Sequence, residues 1–294
     1  MLAYLQNIVV LFSINAILAL TLNFIMGYAG IFSLAHAVFF GIGAYTAAYV
    51  ALNYTDSLVL CMLAAMGLSA VISMALALPA LRVRGEYFVA ASLGLQMIGV
   101  TIFSEWKSVT GGLGGMVGIP SPVFLGYTFR STTDFLILAG VILIGILVIT
   151  SLLVRGSFGR SLMAIRDSES AAQAYGKSVN TVKTLSVAIS AGLAALGGVL
   201  YAFYMSFVNV EVFTLDMSIL LMAMVIIGGT GTLIGPVVGA AIVMALPAAL
   251  TYLPFIPPGE LGTIQQIIYG SAMVILMMYR PGGVVGARAK GKST

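Results

Sequence analysis

Charge is what this sequence lacks. Of its 294 residues only 7% are Asp, Glu, Lys or Arg, where a soluble domain carries about 25%. With 61% hydrophobic residues and a mean hydropathy of +1.12, too few polar groups remain to cover a surface in water, which excludes a water-soluble globule. There is one cysteine, Cys61, inside an apolar run. A lone cysteine allows no internal disulfide and no thiolate metal cluster, so Cys61 is expected to pack and no metal ligand is assigned. The single histidine, His36, is the only ionisable group within the long apolar runs. No HExxH, no paired carboxylates and no Ser/His/Asp set accompany it. Proton-driven carriers and intramembrane enzymes commonly keep ionisable groups at depth, so the chain reads as neither, with no catalytic residue and no cofactor of its own.

What is present is a series of uncharged stretches: 1–55, 57–81, 87–104, 135–154, 184–210, 217–259 and 261–279. A membrane-spanning helix needs about 20 apolar residues. In lipid the backbone must satisfy its own hydrogen bonds, so helices are expected rather than strands. The fold class is therefore all-α: a polytopic integral membrane bundle of about nine spans with broken, Gly-rich helices. Expected spans are 4–26, 31–52, 57–80, 87–104, 134–153, 184–206, 217–228, 233–253 and 264–279, with span 7 short unless it begins before Asp216. The break between the first two falls at "GYAG", that between spans 7 and 8 at "GGTGTLIGP". The stretch 107–130, rich in glycine, is expected to be an ordered loop folded on the bundle. Residues 1–294 form a single transmembrane domain, with 155–183 as a loop within it.

Basic residues orient such a bundle, because they are retained on the cytoplasmic side. Alternating the nine spans puts Arg82, Arg84, Arg155, Arg160, Arg166, Lys177, Lys183, Arg280, Arg288, Lys290 and Lys292 together, and only Lys107 and Arg130 opposite. The N-terminus is thus expected outside and the C-terminus inside. The pI of 9.2 is a topology signal, not a nucleic-acid footprint. The start has no basic region before its apolar run, so no cleavable signal is expected.

The tail "GARAKGKST" matches the G-x-x-x-x-G-K-S spacing of a phosphate-binding loop through Gly286, Gly291, Lys292 and Ser293. Such a loop needs a strand before it and a helix after it. Here an apolar span precedes it and only Thr294 follows, so the tail reads as a basic segment at the lipid headgroups.

Glycine is the residue with most to say. "GYAGIFSLAHAVFFGIGAY" (27–45) and "GGTGTLIGPVVGAAIVMAL" (228–246) place Gly27, Gly30, Gly41 and Gly43 in one half, and Gly228, Gly229, Gly231, Gly235 and Gly239 in the other. Small residues let membrane helices approach closely, and interrupted helices in both halves can mark a solute route. Polar candidates along it are Asn23, Ser33, His36 and the backbone at Gly228, Gly229 and Gly231. The loop "RGSFGRSLMAIRDSESAAQAYGKSVNTVKT" (155–184) can form one or two short helices. Asp167 or Ser168 would cap the second and Gly176 would end it. Arg160, Arg166 and Lys177, interleaved with Leu162, Met163, Ile165 and Tyr175, would give it charge and apolar anchors for a groove on a soluble partner.

Taken together, "GYAGIFSLAHAVFFGIGAY", "ALRVRGEYFVAASLG", "TGGLGG", "GRSLMAIRDSESAAQAYG", "GGTGTLIGPVVGA" and "YRPGGVVG" resemble, in order and over nearly the whole chain, permease subunits of the branched-chain amino-acid ABC importers, the LivM type. The resemblance implies a bacterial or archaeal cytoplasmic (inner) membrane and a homologous second permease of the LivH type. It implies two cytoplasmic ABC ATPase subunits that hydrolyse ATP, and a periplasmic or extracellular solute-binding protein. It identifies Arg160–Gly176 as the ATPase-coupling loop, with Arg160, Ala164, Arg166, Ala171 and Gly176 in it. Relatives that carry urea or short amides share much of this pattern. A self-sufficient channel or ion-coupled carrier, and a scaffold without transport, are the readings the resemblance competes with.

Overall fold

The computed structural model describes residues 2–80, 85–251, 261–279 and 282–286. The chain runs through α1 (Leu2–Asn23), continued by a π-helical turn Phe24–Tyr28, then α2 (His36–Asn53), α3 (Leu58–Ala80), α4 (Gly85–Glu105) and the short α5 (Lys107–Thr110). It continues with α6 (Thr132–Arg155), α7 (Ser157–Asp167), α8 (Glu169–Ala174), α9 (Val179–Met205), α10 (Leu215–Gly228), α11 (Gly235–Thr251) and α12 (Leu261–Tyr279). The nine longest, all longer than α7, fall on the nine expected spans. Five contain stretches long and apolar enough to cross a membrane: Leu5–Tyr28, Leu58–Ala75, Tyr87–Glu105, Thr132–Arg155 and Val179–Met205. Leu215–Gly228, Gly235–Leu246 and Gly262–Leu276 are shorter apolar helices.

Two helix starts differ from the expected bounds. The second span starts at His36, not 31, because Gly30 turns the chain at φ +70° and Ile31 N–H bonds back to Ile25 O at 3.0 Å, a left-handed helix stop. The sixth starts at Val179, five residues before 184, because Val179 is buried against Ile165 and Ala172 and carries the helix beyond the apolar run. The bundle is also not purely helical. Between α5 and α6 the chain forms β1 (Met116–Val117), β2 (Val123–Phe124) and β3 (Tyr127–Thr128). β1 pairs antiparallel with β4 (Phe207–Val208) after α9, and β2 with β3.

The sides of the helices sort by medium. Ile137, Val141, Ile144, Val148 and Leu152 are exposed along one face of α6, at the i, i+3, i+4 spacing of a single stripe. Such an apolar stripe suits acyl chains and not water. α2 and α9 lie inside, where Gly43 packs on the backbone of Ala195 and Gly198 on that of Phe40. No side chain intervenes, and close backbone approach is what small residues provide where lipid supplies no hydrophobic drive between helices.

The ends sort by charge. Gln6 Nε2 donates to Thr133 Oγ1 at 3.2 Å, Val123 N–H to Asp56 O at 2.9 Å, and Ile119 N–H to Ser206 O at 3.4 Å. These contacts gather the start of α1 and α6 and the ends of α2 and α9 at one end, which holds Asp56, Asp134, Lys107 and Arg130. Here Ser131 caps α6: its Oγ accepts from Thr133 N–H at 3.2 Å and Asp134 Oδ2 accepts from Ser131 N–H at 3.1 Å. Asp134 also accepts from Tyr127 Oη at 3.1 Å, and this bond pushes the exposed phenol's pKa above its ordinary value. The opposite end holds Arg155, Arg160, Arg166, Lys177 and Lys183. Arg82, Arg84, Arg280, Arg288, Lys290 and Lys292 lie outside the described residues, as do Gly291 and Ser293 of the tail motif.

Candidate functional site

At the basic end α7 lies against the bundle by one face. Gly159, Ser161, Leu162 and Ile165 are buried, and the Phe158 ring stacks on Phe24 with centroids 6.5 Å apart. Leu162 and Ile165 were expected as anchors for a partner; they are instead committed to this chain's own core, since an amphipathic helix beside a larger apolar surface buries its apolar stripe there. α8 follows after the single residue Ser168, whose Oγ accepts from Ala171 N–H at 3.3 Å as an N-cap. Ala172 is buried with Ile165 and Val179, Lys183 pairs with Glu169, and Gly176 ends the segment at φ +76°. The two helices thus form a fixed platform. Its outward face carries Arg160, Ala164, Ala171 and Gly176, all exposed, beside Tyr175, which is 87% exposed.

Arg166 differs from the other four. Its Nη1 donates to Gly27 O at 2.7 Å, while Nε and Nη2 both donate to Asp167 Oδ1 at 3.0 Å. Its stem lies against Gly30, where an added Cβ would sit 2.8 Å from Arg166 Cγ.

Gly27 belongs to the first helix break and touches the second. α10, at 14 residues, spans about 21 Å at 1.5 Å per residue, less than a hydrocarbon core of about 30 Å. A chain break inside that layer needs its backbone groups satisfied by protein. Val284 and Val285 N–H donate to Ile227 O and Gly228 O at 2.9 and 3.0 Å. Thr232 Oγ1 donates to Gly229 O at 2.8 Å and accepts from Gly235 N–H at 3.1 Å. Asn23 Nδ2 donates to Thr232 O at 2.8 Å, and Asn23 Oδ1 accepts from Gly231 N–H at 2.9 Å. The two glycine clusters therefore meet at Gly27 and Gly231. Gly41 lies against Phe103 and Phe213, and Gly228 against Gly235 and Gly239.

Among the polar candidates, Asn23 is wholly buried with both ends of its amide engaged by backbone. Ser33 is buried and its Oγ accepts from Ala35 N–H at 3.3 Å. His36 is wholly buried at the start of α2, its Nε2 2.9 Å from Thr21 Oγ1. That hydroxyl donates to Leu18 O at 2.9 Å, so it accepts from His36: the ring carries its hydrogen on Nε2 and leaves Nδ1 as a free acceptor. Sequence reading missed Ser92, Gln96 and Ser218. Ser92 Oγ accepts from Leu34 N–H and Ser218 Oγ from Ala37 N–H, both at 3.0 Å, and Gln96 Nε2 donates to Phe213 O at 2.7 Å. The two serines serve the backbone freed where α2 begins, and Gln96 serves the turn before α10. A lone glutamine in the charge-free run 87–104 was the available signal.

Among the described residues, crevices open between helices at two places in particular. One of about 400 Å³ lies between α2, α3 and α4 and is apolar, with Ile42, Leu68, Ile98 and Trp106 on its walls. The other, about 550 Å³, lies between α10 and α12 with Asp216, Gln265 and Gln266.

Residues 4–279 match the family described as Branched-chain amino acid transport system / permease component. The chain is 30% identical over 92% of its length to the high-affinity branched-chain amino acid transport system permease protein LivM of Salmonella typhimurium, covering 68% of that protein. The LivM of Escherichia coli K12 is 29% identical over 95% of this chain and 69% of its own. A probable branched-chain amino acid transport permease protein LivM of Methanocaldococcus jannaschii is 24% identical over 93% of this chain and 91% of its own. No solved structure matches the chain. With the helix breaks, the amphipathic platform and a match running almost end to end, the chain belongs to the permease-component family of branched-chain amino acid transport systems.

Proposed function

We propose that this chain is the membrane permease subunit of an ATP-binding-cassette importer for branched-chain amino acids, working in the cytoplasmic membrane of a bacterium or archaeon. All nine long apolar helices cross the bilayer, the N-terminus lies outside and the C-terminus inside. A second permease of the LivH type completes the pathway, two ATPase subunits bind below it, and a solute-binding protein delivers the amino acid from outside. The observation that carries this reading is the near-complete family match together with the α7–α8 platform, which is packed to the bundle on one face and bare on the other.

The mechanism follows from that placement. ATP binds and is hydrolysed on the partner chains. Their movement presses on the outward face at Arg160, Ala164, Ala171 and Gly176, and α7 passes it to the bundle. The breaks at Phe24–Ala35 and Gly229–Ile234 give the bundle its hinge points, and the solute passes beside them once their movement uncovers Ser33, the His36 Nδ1 and the backbone of Gly228, Gly229 and Gly231, which here are buried or bonded within the chain. The four-part complex in proteoliposomes tests this: it takes up leucine, isoleucine or valine only with ATP inside and binding protein outside. Equal uptake by this chain alone without ATP would instead mean a self-sufficient carrier.

A further inference from the structure

We infer that Arg166 and Asn23 act as positioning residues that join the α7–α8 platform to both helix breaks, so that one displacement moves all three together. The inference rests on the permease reading above and adds which side chains carry the motion.

The path is continuous in hydrogen bonds. Asp167 holds two nitrogens of the Arg166 guanidinium, which fixes the plane of the fork and aims Nη1 at Gly27 O, 2.7 Å away. A charge-assisted bond of this kind is stronger than a neutral one, and lysine, with one compact ammonium, cannot reproduce the fork. Gly27 then presses on the second break without a side chain between: a Cβ there would collide with Gly231 N and lie 2.8 Å from Gly231 Cα. One helical turn earlier, Asn23 grips Gly231 and its neighbour Thr232 from the side, through Gly231 N–H and Thr232 O. Thr232 closes the chain by bonding both Gly229 and Gly235, the two shores of that break. The Arg166–Asp167 pair that starts the series is partly exposed, but Asn23 has no exposed atom, so it holds backbone and does not touch solute.

Two side chains that belong to one link lose their effect together. The test is a double-mutant cycle on the assembled complex in proteoliposomes, reading amino-acid uptake per ATP hydrolysed, with subunit stoichiometry as the assembly control. Arg166→Ala and Asn23→Ala each lower that ratio by about five- to tenfold, within the usual range of coupling between sites. The double variant falls no further than the weaker single, because the second removal acts on a link already broken. Arg166→Lys and Asn23→Asp, which keep part of the geometry, give intermediate losses and supply the cycle should an alanine variant fail to assemble. Losses that multiply, or an Asn23 variant that alters solute preference and leaves the ratio intact, overturn the link. An unmodified complex whose uptake ignores ATP overturns instead the permease reading on which it stands.

Discussion

Gln96 Nε2 donates to the carbonyl of Phe213 at 2.7 Å, deep inside the bundle. The bond ties the middle of α4 to the turn before α10, and Gln96 Oε1 lies 3.4 Å from the Ser218 hydroxyl that serves the first turn of α2. Replacing Gln96 by Leu removes the donor and leaves a buried carbonyl unpaired, which costs about 1–3 kcal/mol. Thermal unfolding of the purified chain in detergent checks this. Ser218→Ala, which strands the Ala37 N–H, lowers stability in the same range.

Glycines sort into two kinds by what a methyl group would meet. At Gly43 it would collide with the backbone of Ala195, and at Gly198 with that of Phe40. Gly43→Ala and Gly198→Ala therefore force α2 from α9 and lose about 1–3 kcal/mol, as overpacking does. At Gly94 and Gly140 an added Cβ meets nothing within 4 Å. Alanine there gains up to about 1 kcal/mol of helix propensity. The same unfolding assay ranks all four.

The outward face of the platform gives a different signature. Ala171→Glu puts a long charged side chain where the ATPase would close on the helix, while Tyr175→Ala removes the largest exposed apolar group in the segment. Both leave unfolding temperature unchanged and weaken recovery of ATPase subunits with the purified permease, Tyr175→Ala by the about 1–2 kcal/mol expected of an aromatic anchor. Leu162→Ala reverses the pattern, because that side chain is fully buried. It destabilises the chain itself by about 2–5 kcal/mol.

Ser168 isolates the contribution of the second short helix. Ser168→Ala removes the cap of α8 and costs about 1 kcal/mol, read as faster amide exchange in residues 169–174. Glu169→Gln breaks the pair with Lys183, but Glu169 is 55% exposed. A partly solvated pair contributes little, so exchange there stays within error of the unmodified chain.

The nine longest helices could be read from the seven charge-free runs and the glycine breaks that split two of them, because lipid penalises a stray charge more than any packing preference rewards one. Ser168 as cap and Gly176 as stop were also readable, since both act through local backbone. What could not be read was long-range or depended on which side a neighbour lies. Periodicity gives α7 an apolar face but not the fact that Leu162 and Ile165 turn it toward the bundle. Arg166 meets Gly27 across 139 residues, and Asn23 meets Thr232 across 209. Asn23 was expected to face solute; the structure bonds its amide to Gly231 and Thr232, while Gln96, which the sequence reading passed over, bonds the backbone of Phe213.

The most direct test of the account is the side of the membrane on which the α7–α8 platform stands. Cys61 is buried, so the chain without it serves as background for single cysteines placed at Ala171 and Tyr175. The account predicts that a membrane-impermeant maleimide labels both only after the cytoplasmic face is opened, while a cysteine at Leu125 in the opposite end is labelled in intact cells. Labelling of Ala171→Cys or Tyr175→Cys from outside intact cells would contradict it.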